Sequence, residues 1–248
     1  MDRYAGLAKI YDYLVAGVDF EGWIDYLEQI LRCFNHTPDK ILDLACGTGN
    51  TTLPLVKRGY RAAGLDVAPE MLQIARQKAG KAGLDINFTA ADMRSFCLDE
   101  QFALITCFHD GLNYLTEDTD LRQCFERVNE HLVPGGLFVF DLNAVLWLAG
   151  TAPGTAMLDE KDITMCWESS YRPGGPCWEI KLTAFVREGE IYHKFTETHR
   201  ERGYTPDEVQ AAMSRAGLKL LAVYDAFTFN PVHPGSRRHF YVAGKPPV

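Results

Sequence analysis

Residues 39–49, Asp-Lys-Ile-Leu-Asp-Leu-Ala-Cys-Gly-Thr-Gly, carry a short apolar strand straight into a glycine turn that opens a helix. Few folds accept that order, because a strand feeding a helix through a tight turn is the opening unit of a parallel, doubly wound sheet. Such a turn brings bare backbone up to a ligand. Gly47 and Gly49 lack the side chains that obstruct this approach and adopt dihedrals costly to other residues. Seventeen positions past Gly49, Asp66 closes a second apolar strand over 60–65, where its carboxylate can accept hydrogen bonds from ribose hydroxyls. The loop and the acid together point to an adenosine-containing ligand.

The alternation continues as strand 39–45, helix 51–58, strand 60–65, helix 69–79, strand 85–90, strand 102–108, helix 119–131 and strand 137–142. Pro69 suits a first helical turn, and Gly59 can stop a helix. Two helices, 4–15 and 21–34, come before the sheet and are expected to cover the ligand mouth; Ile24, Leu27, Ile30 and Leu31 form the apolar stripe of the second. From residue 143 the character changes. Gly150, Pro153 and Gly154 read as a loop, followed by strand-like runs 163–171, 177–187 and 190–199, with turns at Pro173-Gly174-Gly175-Pro176 and Glu188-Gly189-Glu190. These runs predict a three-stranded antiparallel meander ahead of a final helix, 206–216, and closing strands near 218–226 and 238–243. The expected fold class is α/β: a Rossmann-like, doubly wound, mostly parallel sheet with N-terminal helices and an inserted antiparallel β meander. Residues 1–142 and 200–248 form the core, 1–36 its helical cap and 143–199 a substrate lid.

A dinucleotide site reads G-x-G-x-x-G and sets a pyrophosphate on a helix N-terminus, whereas here Gly47-Thr48-Gly49-Asn50-Thr51-Thr52 lacks the third glycine. Asp43 before the loop repels a pyrophosphate and suits, directly or through water, the ammonium of a methionine moiety. Leu42-Asp43-Leu44-Ala45-Cys46-Gly47-Thr48-Gly49, Gly64-Leu65-Asp66 and Ala91-Asp92-Met93 together resemble the class I S-adenosylmethionine-dependent methyltransferases of the small-molecule type. Leu132-Val133-Pro134-Gly135-Gly136-Leu137-Phe138-Val139-Phe140 is similar to that family's turn and strand after the fourth helix. The resemblance is close over residues 1 to about 143 and thinner beyond, where Glu201 to Leu218 looks like the family's last helix.

The resemblance implies S-adenosyl-L-methionine as cofactor. Asp43, Ala45, Gly47 and Gly49 would line it, Asp66 would hold the ribose hydroxyls, Asp92 the adenine amino group and the Met93 amide the adenine ring, with Met71 packed on the adenine. Tyr4-Ala5-Gly6-Leu7-Ala8-Lys9-Ile10-Tyr11-Asp12 resembles the opening helix of small-molecule methyltransferases, whose tyrosines border the methionine carboxylate and sulfonium; Tyr11 is the better placed. Ser236-Arg237-Arg238-His239-Phe240 is similar to the closing strand, which implies that Arg238 faces the pocket and binds an anionic substrate group.

In open α/β sheets ligands bind beyond the carboxyl ends of the strands, so the loops after Asp43, Asp66, Asp92, Phe108 and Asp141 converge on one crevice. Methyl transfer from a sulfonium needs positioning and desolvation, plus a base where the nucleophile carries a proton of high pKa. His109, directly after the fourth strand, is the first candidate base, and a cofactor-shelf role is open to it as well; His193 and His199 stand in reserve. Trp167, Tyr171, Trp178, Phe185, Tyr192 and Phe195 line a substrate pocket or build a sheet core, with Trp167 taken as a substrate contact. Asp110, Asp141 and Asn143 offer oxygen donors for magnesium, but strand-end aspartates also cap loops, so no metal is the default.

The formal charge of -8, with no long Lys/Arg run, argues against nucleic acid as a partner. The start lacks the basic and apolar regions of a signal peptide, no apolar run reaches membrane-spanning length, and the seven cysteines form no C-x-x-C pair. A cytoplasmic enzyme acting on a small-molecule methyl acceptor, at an amine or hydroxyl, is the expectation, with monomer and homodimer both open. The competing readings are an RNA or protein methyltransferase, a non-catalytic S-adenosylmethionine-binding module and a nicotinamide-dependent oxidoreductase.

Overall fold

The fold is that of a computed structural model, which describes residues 5–150, 153–172 and 176–247. Tyr4 and most of the turn at Pro173, Gly174 and Gly175 lie outside the described residues.

Alternating strands and helices build one seven-stranded sheet. Its strands are β1 (Lys40–Leu44), β2 (Arg61–Asp66), β3 (Phe88–Ala90), β4 (Phe102–Cys107), β5 (Leu132–Asn143), β10 (Lys219–Asp225) and β11 (Arg238–Gly244). Their order is β10-β11-β5-β4-β1-β2-β3; β1 to β5 pair in parallel, and β11 lies antiparallel between β5 and β10. The order reverses between β1 and β4, which opens a crevice beyond their carboxyl ends.

Side-chain alternation sends each strand's residues to two layers. Phe138, Phe140 and Tyr241 meet on one face, the last two in register and stacked at 5.0 Å, beneath α5 (Asp120–His131) and α7 (Pro206–Arg215). Leu137, Val139, Phe240 and Val242 take the other face. There they meet α2 (Phe20–Cys33), which buries Trp23, Ile24, Tyr26, Leu27, Ile30 and Leu31 at helical spacing and is capped where Asp19 accepts from the Gly22 amide at 3.0 Å. The remaining helices of the core are α1 (Ala5–Leu14), α3 (Thr52–Lys57) and α4 (Pro69–Lys81).

The segment after β5 differs from the sequence expectation in three ways. Val145–Gly150, of which the sequence reading places only Gly150 in a loop, forms a short helix, α6. Gly154–Glu160, where that reading places Gly154 in the loop and gives the rest no element, is a strand, β6, so the meander has four strands: β6, β7 (Ile163–Arg172), β8 (Cys177–Glu188) and β9 (Ile191–Arg202). An edge strand exposed on one face and only half-buried on the other, where Ala156 and Leu158 lie, shows weak apolar alternation, so its signal was faint; seven registered pairs with β7 hold it. Thirdly, β9 runs on to Arg202, which puts Glu201 in the sheet and not in the last helix; that helix starts at Pro206 behind a Thr205/Glu208 capping box.

Register sorts the meander's aromatics. Trp167, Tyr171, Trp178 and Phe195 share one face with Met165, Leu182 and Ala184, whereas Phe185 and Tyr192 point the other way. The first face packs on α1 and Met71.

Candidate active site

The glycine turn is held from below. Asp43, fully buried, accepts hydrogen bonds from Thr51 Oγ1 (2.6 Å), Thr52 Oγ1 (2.7 Å) and Thr106 Oγ1 (2.9 Å). Burial pushes its pKa up, against the pull of the three hydroxyls. The carboxylate is enclosed by threonines from the start of α3 and from β4 and braces the loop; its contact with an ammonium group, direct or through water, stays a proposal.

The two glycines of the turn have different duties. A Cβ on Gly49, at φ +80°, would lie 2.6 Å from Leu53 Cδ1 and 3.4 Å from the Ala75 Cβ, so this glycine lets α3 and α4 close on the turn. A Cβ on Gly47, at φ +53°, would meet nothing nearer than Tyr11 Cε1 at 3.9 Å, so this position keeps open space above the loop. Gly47→Val is therefore expected to fold, at a cost of about 1–2 kcal/mol in backbone strain, and to lose at least about tenfold in affinity for S-adenosylhomocysteine by filling that space. Calorimetry on the folded variant checks it, and unaltered binding would remove Gly47 from the site. Ala45, His109 and Asp110 also adopt positive φ, at 53°, 61° and 58°, so the turns after β1 and β4 both carry strained backbone at the crevice.

Asp66 sits beside the turn, with Oδ2 accepting from the Gly47 amide and Oδ1 from the Ala68 amide, both at 2.8 Å. Burial raises its pKa. Val67, next along, is 53% exposed, an apolar shelf at the mouth that sequence reasoning missed; the available signal was an apolar residue directly after a strand-end acid. Met71 on α4 is buried among Leu7, Ile10 and Met165, between α1 and the four-stranded sheet, and its contact with an adenine stays a proposal. Asp92 is forked to Arg94, with Nη2 to Oδ2 at 2.6 Å and Nε to Oδ1 at 3.0 Å, and Met93 is half-buried against the core.

Helix α1 roofs the turn. Its Asp12 accepts from Thr48 Oγ1 (2.6 Å), Asn50 Nδ2 (3.0 Å) and Lys78 Nζ (2.9 Å), a cluster the sequence reading did not find because its members come from three elements. At its N-terminal end Glu197 Oε1 on β9 accepts from the Gly6 and Leu7 amides, each at 2.9 Å. Tyr11 thereby reaches the crevice, with its hydroxyl 3.4 Å from His109 Nδ1; burial, then Asp110 and Asp66, push the phenol's pKa up.

Beyond His109 lies an acidic cluster. The His109 ring packs against Phe20 and Trp23 at 5.5 and 5.7 Å. Arg238 is not free for an anionic substrate, contrary to expectation: its guanidinium bonds Asp110 Oδ1 at 2.8 Å and Asp141 Oδ2, and lies 5.4 Å over the Trp23 ring. Burial would raise the pKa of Asp110, but Arg238 beside it prevails and holds it below the usual range. Asn143 closes on Glu201, a residue missed in the sequence, donating from Nδ2 to Oε2 at 3.1 Å. Of the residues considered for magnesium, Asp110 Oδ1 and Asp141 Oδ2 are engaged with Arg238, and Asn143 meets Glu201 through its amide nitrogen. Of the reserve histidines, His199 is buried with Nε2 3.3 Å from Glu197 Oε2, and His193 is exposed beside Glu188 at the hairpin end. Trp167 packs in the apolar cluster that joins the four-stranded sheet to α1.

A methyltransferase domain family model matches residues 41–136. The chain is 31% identical to an S-adenosylmethionine-dependent methyltransferase from Clostridium acetobutylicum of known structure, over 98% of this chain and 99% of that one, with a TM-score of 0.87. It is 32% identical to YqeM of Bacillus subtilis, itself only provisionally named a methyltransferase, over 98% and 97% of the two chains. A third relative, 27% identical over 88% of this chain and 86% of its own, is the dTDP-3-amino-3,6-dideoxy-alpha-D-glucopyranose N,N-dimethyltransferase of Streptomyces fradiae.

Proposed function

The chain belongs to the S-adenosylmethionine-dependent methyltransferases, and from that premise we propose that it methylates an amino nitrogen of a small polar molecule. The observation that carries this reading is the acidic cluster in which the carboxyl groups of Asp110, Asp141 and Glu201 gather around the guanidinium of Arg238. Carboxyl groups that outnumber the cation beside them, one of them ready to give up its proton to an arriving cation, favour a cationic acceptor over an anionic one. The Streptomyces fradiae relative, which acts on an amino sugar by its name, supports the same class.

In this reading Gly47, Ala45 and Tyr11 border the methionine part of S-adenosyl-L-methionine, Asp66 accepts its ribose hydroxyls, and Val67, Asp92 and Met93 take the adenine. The open space over Gly47 fits such a group. When bound between these residues, S-adenosyl-L-methionine would supply an electrophilic methyl group to the acceptor. The residues of the chain do the rest: His109 and Trp23 wall the acceptor, and α1 with the lid sheet excludes water. Among the described residues no helix is long and apolar enough to cross a membrane; cytoplasmic residence stays part of the proposal, resting on the dispersed cysteines.

Label transfer from methyl-tritiated cofactor to a panel of free amino sugars, alkylamines, phenols and sugar hydroxyls tests the reading. Amines are expected to take label at least about tenfold faster than hydroxyl compounds of matched size. Preferential labelling of the phenols or sugars would replace the amine by a hydroxyl.

A further inference from the structure

The inner face of the lid sheet changes character along its strands. One rung holds Met165, Ala184 and Phe195, the next Trp167, Leu182 and Glu197, and the last Tyr171, Trp178 and Glu201. Between these last two the rung of Ser169, Ile180 and His199 intervenes, so the face turns polar from Glu197 onward and ends in a carboxylate where β5 finishes, because Asn143 there donates to Glu201 Oε2. Glu201 is only 7% exposed. The groups that face it are Asp110 from the turn after β4, Asp141 and Asn143 from β5, Arg238 from β11 and, across the strand pair, uncharged Trp178; His199 lies two residues back on its own strand. One more carboxylate oxygen here lacks a partner. Asp141 Oδ1 is buried and accepts no hydrogen bond among the described residues. Three carboxylates sharing one guanidinium, with a buried acceptor to spare, form a site short of a cation and of N–H donors.

We propose that Glu201 is a catalytic residue, receiving the proton that the acceptor's ammonium group must shed before its nitrogen can be methylated. The assignment rests on the amine reading above. In the step, one N–H bond of the ammonium breaks, its electron pair stays on nitrogen, and the proton forms an O–H bond on the Glu201 carboxylate. An ammonium and a carboxylate become a neutral amine and a carboxylic acid, so charge and protons balance. The nitrogen's freed pair then points into the crevice shared with His109 and Tyr11.

The environment suits the task. Burial, and next the charge of Asp110, push the Glu201 pKa up to about 8, against the Asn143 hydrogen bond and Arg238. A base in that range takes a proton from an ammonium group with a smaller mismatch than an ordinary carboxylate does. At pH 7 the unliganded carboxyl holds its own proton, which an arriving ammonium displaces.

That displacement is measurable with a simple cation. The S-adenosylhomocysteine complex is titrated calorimetrically with cyclohexylammonium chloride at pH 7, in two buffers of different ionisation enthalpy. Wild-type protein is expected to release about one proton per ammonium bound; Glu201→Gln is expected to release none and to bind at least about tenfold more weakly. Glutamine is the isostere of the protonated acid, so the variant should keep its thermal midpoint and its affinity for S-adenosylhomocysteine. Equal proton release by both proteins, or none by the wild type, overturns the assignment. Proton release that depends on Glu201 while no amine of the panel takes a methyl group overturns the amine reading instead, and leaves Glu201 as the ammonium-responsive group.

Discussion

Arg238→Met is expected to destabilise the protein by about 3–5 kcal/mol at pH 7, the cost of leaving buried carboxylates without their cation. Methionine keeps much of the arginine stem and its packing against Trp23, so the loss reports charge and not a cavity. In the wild type Arg238 holds the Asp110 carboxyl below the usual range. That contribution is present above the ordinary carboxylate pKa and is lost as pH falls through the lower folded value. Without the guanidinium the two buried aspartates have folded pKa values above the ordinary one, so the variant gains relative stability as they protonate. The deficit should therefore shrink between pH 7 and pH 5, as read from urea unfolding at both. A deficit equal at the two values would mean that the arginine acts through packing. A second change, Asp110→Asn, should recover part of the loss at pH 7 by removing one of the stranded charges.

Asp66→Ala is expected to weaken binding of S-adenosylhomocysteine by about 3 kcal/mol, on the order of 100-fold. Two effects add. The ribose hydroxyls lose a charged acceptor, and the Gly47 and Ala68 amides lose the carboxylate that ties the turn to the end of β2. Stability without ligand should change little, because the terms oppose. The lost hydrogen bonds cost, but a buried carboxylate with a raised pKa is itself unfavourable when charged at neutral pH, a penalty that alanine removes. Calorimetry and a thermal midpoint on the same sample separate binding from folding. Unchanged affinity would refute the placement of the ribose, and a collapsed midpoint would make Asp66 a folding residue first.

The parts of the site that were legible in the sequence are those fixed by local chemistry. The Gly47–Gly49 turn, Asp66 at its strand end and the apolar stripe of α2 depend on neighbours within a few residues, and all three stand as expected. Edges were less readable: β3 is three residues, not six, and β6 was missed because an edge strand exposed on one face and only half-buried on the other shows weak alternation. Roles failed where a side chain's partner is distant in the chain. Arg238 was taken for an anion site because its type and strand were visible, while Asp110 and Asp141, 128 and 97 positions away, were not known to meet it.

The sequence by itself determined the alternation of strands and helices up to the end of β5, the glycine turn and the acid that follows it, because period, turn geometry and capping act over a few residues. Tertiary structure decided the rest. It turned Asp43 into a brace by placing Thr106 beside it across β1 and β4, and sank Met71 between α1 and the four-stranded sheet. It also carried Glu201 to the end of β5, through a strand register that spans four hairpin-linked strands. The physical reason is common to all three. A side chain's chemistry is set by the charges and hydroxyls within a few ångströms, and which ones those are depends on how remote strands align, a choice made by the burial of whole faces and not by any short stretch of chain.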